Sequence, residues 1–191
     1  MALKCFITVE DVLMDFSPSI PQLPPMLKDK EQVQNRLDHD TEFLTKLPML
    51  FDGHLLLGVA KHYFGEKNIR LLSGFWSKKI AHPSLQYWIR EHIPAFEKRL
   101  VKVPEYGFKD TSKCVLMDTR YGRCYAFFRA GGYPIQLPYR AHTDTVHRLH
   151  ELQMQCETAL RCSVVRYSLK DKPPFRRGQV SSYSWPCCSQ V

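Results

Sequence analysis

The chain has 191 residues, of which 44% are hydrophobic and 24% are charged. This composition is typical of a soluble globular protein with one core, and no apolar run approaches the ~20 residues that a membrane-spanning helix requires. The seven cysteines are odd in number and irregularly spaced. Such usage favours a reducing compartment over a disulfide scaffold, so we expect an intracellular protein.

The net charge is +8, which favours an acidic or nucleic-acid partner. The basic residues stand in short separate clusters such as Lys78-Lys79, Lys98-Arg99 and Arg176-Arg177. No stripe of basic residues at helical spacing joins these clusters. A solvated basic surface and an RNA-binding face therefore both remain open at this point.

The first part of the chain predicts a short strand over Lys4–Val9, followed by an irregular segment. Ser17–Pro25 holds four prolines in nine residues, which excludes regular structure there. We expect residues 1–37 to form an N-terminal arm with a Pro-rich linker. Residues 38–169 are expected to form a single domain, and residues 170–191 a basic, disordered tail.

Three helices are predicted in the middle and later parts of the chain. Asp52 is placed to cap the first of them, and Gly65 to end it. Pro83 and Pro94 bound the second helix. Thr143 or Asp144 caps the third, which runs to about Arg161 with apolar residues at a period of 3.6.

The aromatic-rich stretch Arg120–Pro138 predicts a β-hairpin. Cys124–Phe128 is expected to form one strand, Gly131-Gly132 the two-residue turn, and Tyr133–Tyr139 a return strand at a sheet edge. Strands over Cys114–Met117 and Ser163–Leu169 complete the sheet. The predicted fold is α+β, with helices packed on a small antiparallel sheet that includes this aromatic hairpin.

Catalytic and metal-binding motifs are not visible in the sequence. It contains no Gly-rich phosphate loop, nucleophile elbow or Cys-His signature. His142, His147 and His150 lie near Cys156, but the short paired spacing of a zinc site is absent. We therefore expect no catalytic residue, no metal and no cofactor, so that the protein is not an enzyme.

Two motifs together resemble a known family. The first is the Leu-Pro string Leu47-Pro48-Met49-Leu50, followed by Phe51. The second comprises Tyr121, Gly122, Phe127, Phe128, Arg129, Gly132, Tyr133, Pro134 and Pro138. In order and spacing, the two motifs are similar to those of the silencing suppressors encoded by the first open reading frame of poleroviruses, which carry an F-box-like Leu-Pro motif.

The resemblance implies a viral suppressor of RNA silencing that acts as an adaptor in the host cell cytoplasm, with the nucleus as a second location. Leu47, Pro48, Leu50 and Phe51 would bind the Skp-type subunit of an SCF ubiquitin ligase, and another surface would recruit Argonaute for degradation. The second motif would maintain the fold. Two alternatives stay open: the Leu-Pro side chains pack internally, or the protein is a basic RNA-binding protein that sequesters small RNA.

Overall fold

The computed structural model describes residues 3–15, 42–74, 81–102, 111–137 and 145–162. These residues contain five strands: β1 (Lys4–Thr8), β2 (Ile69–Ser73), β3 (Leu100–Lys102), β4 (Cys114–Asp118) and β5 (Tyr133–Gln136). The α-helices are α1 (Gly53–Phe64), α2 (Ala81–His92), α3 (Tyr121–Arg129) and α4 (Thr145–Cys162). Short 3-10 helices span Leu44–Lys46, Glu66–Asn68 and Pro94–Arg99.

The five strands form one sheet in the order β3-β2-β1-β4-β5, and every pairing is parallel. At the centre of the sheet, Cys5 of β1 lies opposite Ile69 of β2 on one side and Val115 of β4 on the other. The chain runs outward from β1 through β2 to β3 and then returns to β4 and β5 on the opposite side. This order is that of a doubly wound α/β sheet.

Helices cover both faces of the sheet, as an all-parallel sheet requires. Cys5 and Ile7 of β1 belong to the larger core, together with apolar residues of α1, α2 and α4. Phe6 points to the other face, where Phe127 of α3 is its edge-to-face partner. The strands are consequently covered on both sides, and Phe6, Val101 and Cys114 on the second face are partly buried.

The prediction of an antiparallel α+β domain is wrong, and the hairpin is the source of the error. Residues 124–128 lie within α3 rather than in a strand. Cys124, Phe127 and Phe128 are its buried residues, and this spacing gives a helical apolar stripe. Gly131-Gly132 connects that helix to β5, which is parallel to β4 because a crossover helix, not a tight turn, joins the two strands.

Several predicted elements have counterparts in the structure. The three predicted helices are present as α1, α2 and α4, and Gly65, with a φ of 75°, follows the end of α1. Among the described strands, β5 lies at the edge of the sheet, as its prolines indicated. The predicted arm contributes β1, which is the central strand. The proposed strand over 163–169, the Pro-rich linker, the tail and Pro138 all lie outside the described residues.

Gly132 permits a close contact between the start of β5 and α3. A Cβ placed at this position would overlap the ring of Phe127 and would lie 2.7 Å from Thr111 Oγ1. We expect Gly132→Ala to lower the free energy of unfolding by about 1–3 kcal/mol, because a buried aromatic ring must shift. Urea denaturation followed by circular dichroism measures the change.

Gly58 provides the matched control for this substitution. It is exposed in the middle of α1, and a Cβ there would meet nothing within 4 Å. Gly58→Ala should therefore raise the free energy of unfolding by about 0.5–1 kcal/mol. Equal effects of the two alanine substitutions would contradict the packing described at Gly132.

Candidate functional site

Polar side chains converge at the carboxyl ends of three adjacent strands. In open α/β sheets, ligands bind outside these ends, at the point where the strand order reverses. Here that point lies between β1, which ends at Thr8, and β4, which ends at Asp118. Ser73 ends β2 on the other side of β1. We call Thr8, Glu10, Ser73, Asp118 and Arg123 the switch-point cluster.

Asp118 connects β1, β4 and α3 through its carboxylate. Thr8 Oγ1 donates a hydrogen bond to Asp118 Oδ2 at 2.7 Å, and Arg123 Nη1 lies 2.8 Å from the same oxygen. Arg123 Nη1 also donates to Thr8 Oγ1 at 3.3 Å. The other carboxylate oxygen, Oδ1, accepts from the backbone N–H of Arg120 at 2.9 Å. Asp118 is fully buried, and its position is fixed from several directions.

Glu10 connects β1 to β2 in the same way. Its carboxyl group is buried and accepts hydrogen bonds from Ser73 Oγ and from the backbone N–H of Gly74, the latter at 3.1 Å. The next residue, Asp11, has a φ of 61° and begins the turn that leaves the sheet. Burial raises the pKa of Glu10, and the charge of Arg123 partly offsets this shift.

The raised pKa of Glu10 predicts a pH-dependent contribution to stability. Above its ordinary pKa of 4.5, the unfolded chain loses this proton before the folded protein does. The contribution of Glu10 to the free energy of unfolding therefore falls as the pH rises from about 4.5 through the higher folded-state value. Glu10→Gln should remove this dependence, because glutamine does not titrate.

Urea denaturation at a series of pH values between 4 and 8 measures this effect. Burial also raises the pKa of Glu151, so Glu151 makes a second contribution of the same sign to the pH dependence of the free energy of unfolding. The difference in the free energy of unfolding between wild type and Glu10→Gln isolates the contribution of Glu10. This difference should decline as the pH rises. If the free energy of unfolding varied with pH in the same way for both proteins, the pKa of Glu10 would not be raised in the folded state.

Thr119, the next residue along the chain after Asp118, has a buried hydroxyl group. Its side chain is 1% exposed, and Oγ1 has no hydrogen-bond partner among the described residues. A buried polar atom without a partner costs free energy unless a ligand or water satisfies it. On the β2 side, Arg123 Nη2 approaches Gly74, where an added Cβ would lie 3.4 Å from it. The cluster thus combines hydroxyl, carboxyl, guanidinium and backbone N–H groups.

The Leu-Pro segment packs against α2, and its backbone is hydrogen-bonded to Leu13 and Asp15, which follow β1. Leu47 and Leu50 are each only 5% exposed. The backbone carbonyl of Leu47 accepts a 2.7 Å hydrogen bond from Trp88 Nε1. Pro48 is exposed, and Phe51 is 73% exposed. The structure therefore places two of the four proposed Skp anchors inside the protein and two at its surface.

The second motif surrounds α3 and β5. Phe127, Phe128, Gly132, Tyr133 and Pro134 are buried, whereas Gly122 and Arg129 are exposed and Tyr121 stacks on Tyr125.

The residues of the switch-point cluster were not among the sequence-predicted site residues. Thr8, Ser73 and Asp118 each directly follow the apolar run of a strand. This position is the one signal in the sequence that could have identified them as site residues.

Metal and membrane sites are not seen in the described parts of the chain. Within the described ranges, no three histidine, cysteine or acidic side chains are placed to hold a metal ion. His147 and His150 are exposed on α4, and His142 lies outside the described residues. No described helix combines the length and apolarity needed to cross a bilayer.

The fold and the cluster define a doubly wound α/β domain with a polar site at its switch point. No family model matches the chain, and a search of curated proteins finds no relative.

Proposed function

We propose that the chain binds a small phosphate-bearing molecule at the switch-point cluster. The supporting observation is the convergence of Thr8, Ser73 and Asp118 at the carboxyl ends of adjacent parallel strands, with Arg123 between them. This position in the fold is where doubly wound domains bind their ligands.

The donors around the cluster favour phosphate over a neutral ligand. The guanidinium groups of Arg123 and of Arg120, which lies 3.7 Å from Asp11 Oδ2, match phosphate geometry. α3 begins beside them at Tyr121 with its N-terminal end. We assign the hydroxyl group of Thr119, the residue after Asp118, to the ligand, because it lacks a partner among the described residues. The negative charge of Asp118 is balanced by Arg123, and burial favours the neutral form of Glu10. The charge of Asp11 is balanced by Arg120, so an entering anion does not meet a strongly negative site.

The segment after β1 favours a compact phosphate monoester over a dinucleotide. Dinucleotide-binding domains place a Gly-rich turn there, so that the pyrophosphate can approach the backbone closely. In this chain the segment is Val9-Glu10-Asp11, and the Glu10 carboxyl group occupies that side of the site.

Binding without turnover is part of the proposal. The hydroxyl group of Thr8 donates to Asp118 and accepts from Arg123, and we assign it to the network that holds the strand ends. Burial raises the pKa of the thiols of Cys5 and Cys124 well above the ordinary value, which disfavours the reactive thiolate.

A thermal-shift panel followed by calorimetric titration tests this function. The ligands are inorganic phosphate, glycerol phosphate, a nucleoside monophosphate and a dinucleotide, with sulfate as an ionic-strength control. We expect a monoester to raise Tm, and Thr119→Val to reduce that shift. Arg90→Gln is the control, because Arg90 pairs with Glu97 at the surface and should not affect binding. Tm values unchanged by every phosphate compound would contradict the proposal.

Suppression of silencing through an SCF-type ligase stays a prediction from the resemblance. Since Leu47 and Leu50 are buried, Skp docking would have to use Phe51, together with the exposed Leu55 one turn later. A Skp pull-down with Phe51→Ala and Leu55→Ala tests this, because exposed residues can be changed without disturbing the core. For the RNA-binding alternative, a gel shift with small duplex RNA is the corresponding measurement.

A further inference from the structure

A groove lies between α1 and the segment in which α2 ends and the next 3-10 helix begins. Its volume is about 240 Å³, and it contains no residue of the switch-point cluster. The described residues that line it are mostly apolar, and none is acidic: His54, Leu57, Gly58, Lys61, His92, Ile93, Pro94, Ala95 and Phe96. Apolar walls with a few polar groups are typical of small-molecule sites, and this volume suits a single ring with a short side chain.

Gly58 leaves α1 without a side chain in this groove. A Cβ at this position would meet nothing within 4 Å, so no packing contact in the described part of the chain requires glycine there. Glycine in the interior of a helix is nevertheless less favourable than alanine. His54 precedes Gly58 by four residues and Lys61 follows it by three, so all three lie on one side of α1. A stretch of bare backbone is therefore open to a flat ligand.

The wall of the groove that faces α1 contains two aromatic rings. The His92 ring packs against Trp88, with 4.5 Å between their centroids, and Phe96 is fully buried. Burial lowers the pKa of His92, and the charge of His54 lowers it further, although Glu91 acts in the opposite direction. His92 is consequently neutral near pH 7, and this wall presents flat, uncharged rings to a ligand.

Lys61 supplies the positive charge of the groove. Its Nζ lies 5.2 Å from the centroid of the Phe96 ring and 3.2 Å from Glu66 Oε2. Arg99 Nη2 lies 3.6 Å from Glu66 Oε1, so two cations share one carboxylate and a positive charge is left in excess. An ammonium group has three N–H donors, and the contact with Glu66 occupies one of them. Lys61 can therefore also bind a carboxylate in the groove.

We infer that the groove binds a small aromatic carboxylate, with its ring on the bare backbone at Gly58 and its carboxylate at Lys61. The apolar lining and the flat wall select the ring, and the excess positive charge without an acidic lining residue selects the anion. This site is distinct from the switch-point cluster, so the inference goes beyond the proposed function and does not depend on it.

NMR titration of the ¹⁵N-labelled full-length chain with phenylacetate tests this site. Phenylacetamide, which has nearly the same shape without the charge, is the matched probe. The backbone amide signals of Gly58 and Ala95 should shift and saturate with phenylacetate. Lys61→Gln should weaken phenylacetate binding by about tenfold, because one charged hydrogen bond is lost. The same variant should bind phenylacetamide as wild type does.

Leucine at position 58 should block the groove. Gly58→Leu should bind neither compound, while its Tm stays at or above that of wild type, because leucine favours a helix and its Cβ meets no neighbour. Gly122→Leu is the matched control, since Gly122 of α3 is exposed and equally open, and it should bind phenylacetate normally.

The absence of saturable shifts at Gly58 and Ala95 would overturn the inference, as would phenylacetate binding that is unchanged in Lys61→Gln or retained in Gly58→Leu. If Gly58→Leu folds poorly, the comparison of the two probes in Lys61→Gln decides the question by itself. Failure of the phosphate panel would leave this result unaffected.

Discussion

Replacing Asp118 by alanine should lower the free energy of unfolding by about 3 kcal/mol, because the change leaves the charge of Arg123 without its closest partner. The carboxylate is fully buried and lies 2.8 Å from Arg123 Nη1. It also accepts hydrogen bonds from Thr8 Oγ1 and from the backbone N–H of Arg120. The substitution therefore disconnects β1, β4 and α3 at one position.

Urea denaturation of Asp118→Ala and Asp118→Asn measures this loss. Asparagine keeps one side-chain oxygen that can accept a hydrogen bond from Thr8 or Arg120. Asp118→Asn should therefore lose less stability than Asp118→Ala. Arg90→Ala is the control, because its ion pair with Glu97 is exposed and such pairs contribute little. An Asp118→Ala protein as stable as Arg90→Ala would mean that the buried network does not hold the strand ends together.

Replacing Arg148 by alanine should have a still larger effect, about 3–5 kcal/mol. Arg148 of α4 and Asp52, which precedes α1, are both fully buried, and Nη1 lies 2.6 Å from Oδ2. The sequence predicted Asp52 as a helix cap, but the structure shows no side-chain cap hydrogen bond, because the carboxylate binds Arg148 instead. Removal of the arginine leaves a buried carboxylate without its cation.

The double variant Asp52→Leu/Arg148→Met separates charge from packing. Because apolar residues of similar volume can replace a buried pair at little cost, this variant should recover most of the stability lost in Arg148→Ala. Thermal unfolding of wild type and both variants gives the comparison, with about 2–4 °C in Tm for each kcal/mol. A double variant less stable than Arg148→Ala would show that the ion pair itself stabilises the contact between α1 and α4.

The helices were predictable because their termini and apolar periods are local features of the sequence. Asp52 and Gly65 flank α1 as expected, and the apolar period after Thr143 matches α4. Strand direction is not local. Cys124–Phe128 was interpreted as a strand from its aromatic content over five residues, too short a window to separate a period of 2 from one of 3.6. Burial of Cys124, Phe127 and Phe128 shows the helical period.

The candidate site could not be predicted for a related reason. Thr8, Ser73 and Asp118 are far apart in the sequence, and only the parallel strand order brings them to one edge. Without that order, each is a single polar residue after an apolar run. The Leu-Pro segment shows a second limit, because an apolar pattern does not distinguish the buried Leu47 from the exposed Phe51.

The most direct test of the switch-point site is an NMR titration of the ¹⁵N-labelled chain with glycerol phosphate. The backbone amide signals of Glu10, Gly74 and Arg120 should shift together and saturate, since these residues line the carboxyl ends of β1, β2 and β4. Shifts confined to other surfaces, such as the groove lined by His54, Lys61 and His92, would contradict the assignment, as would unchanged spectra.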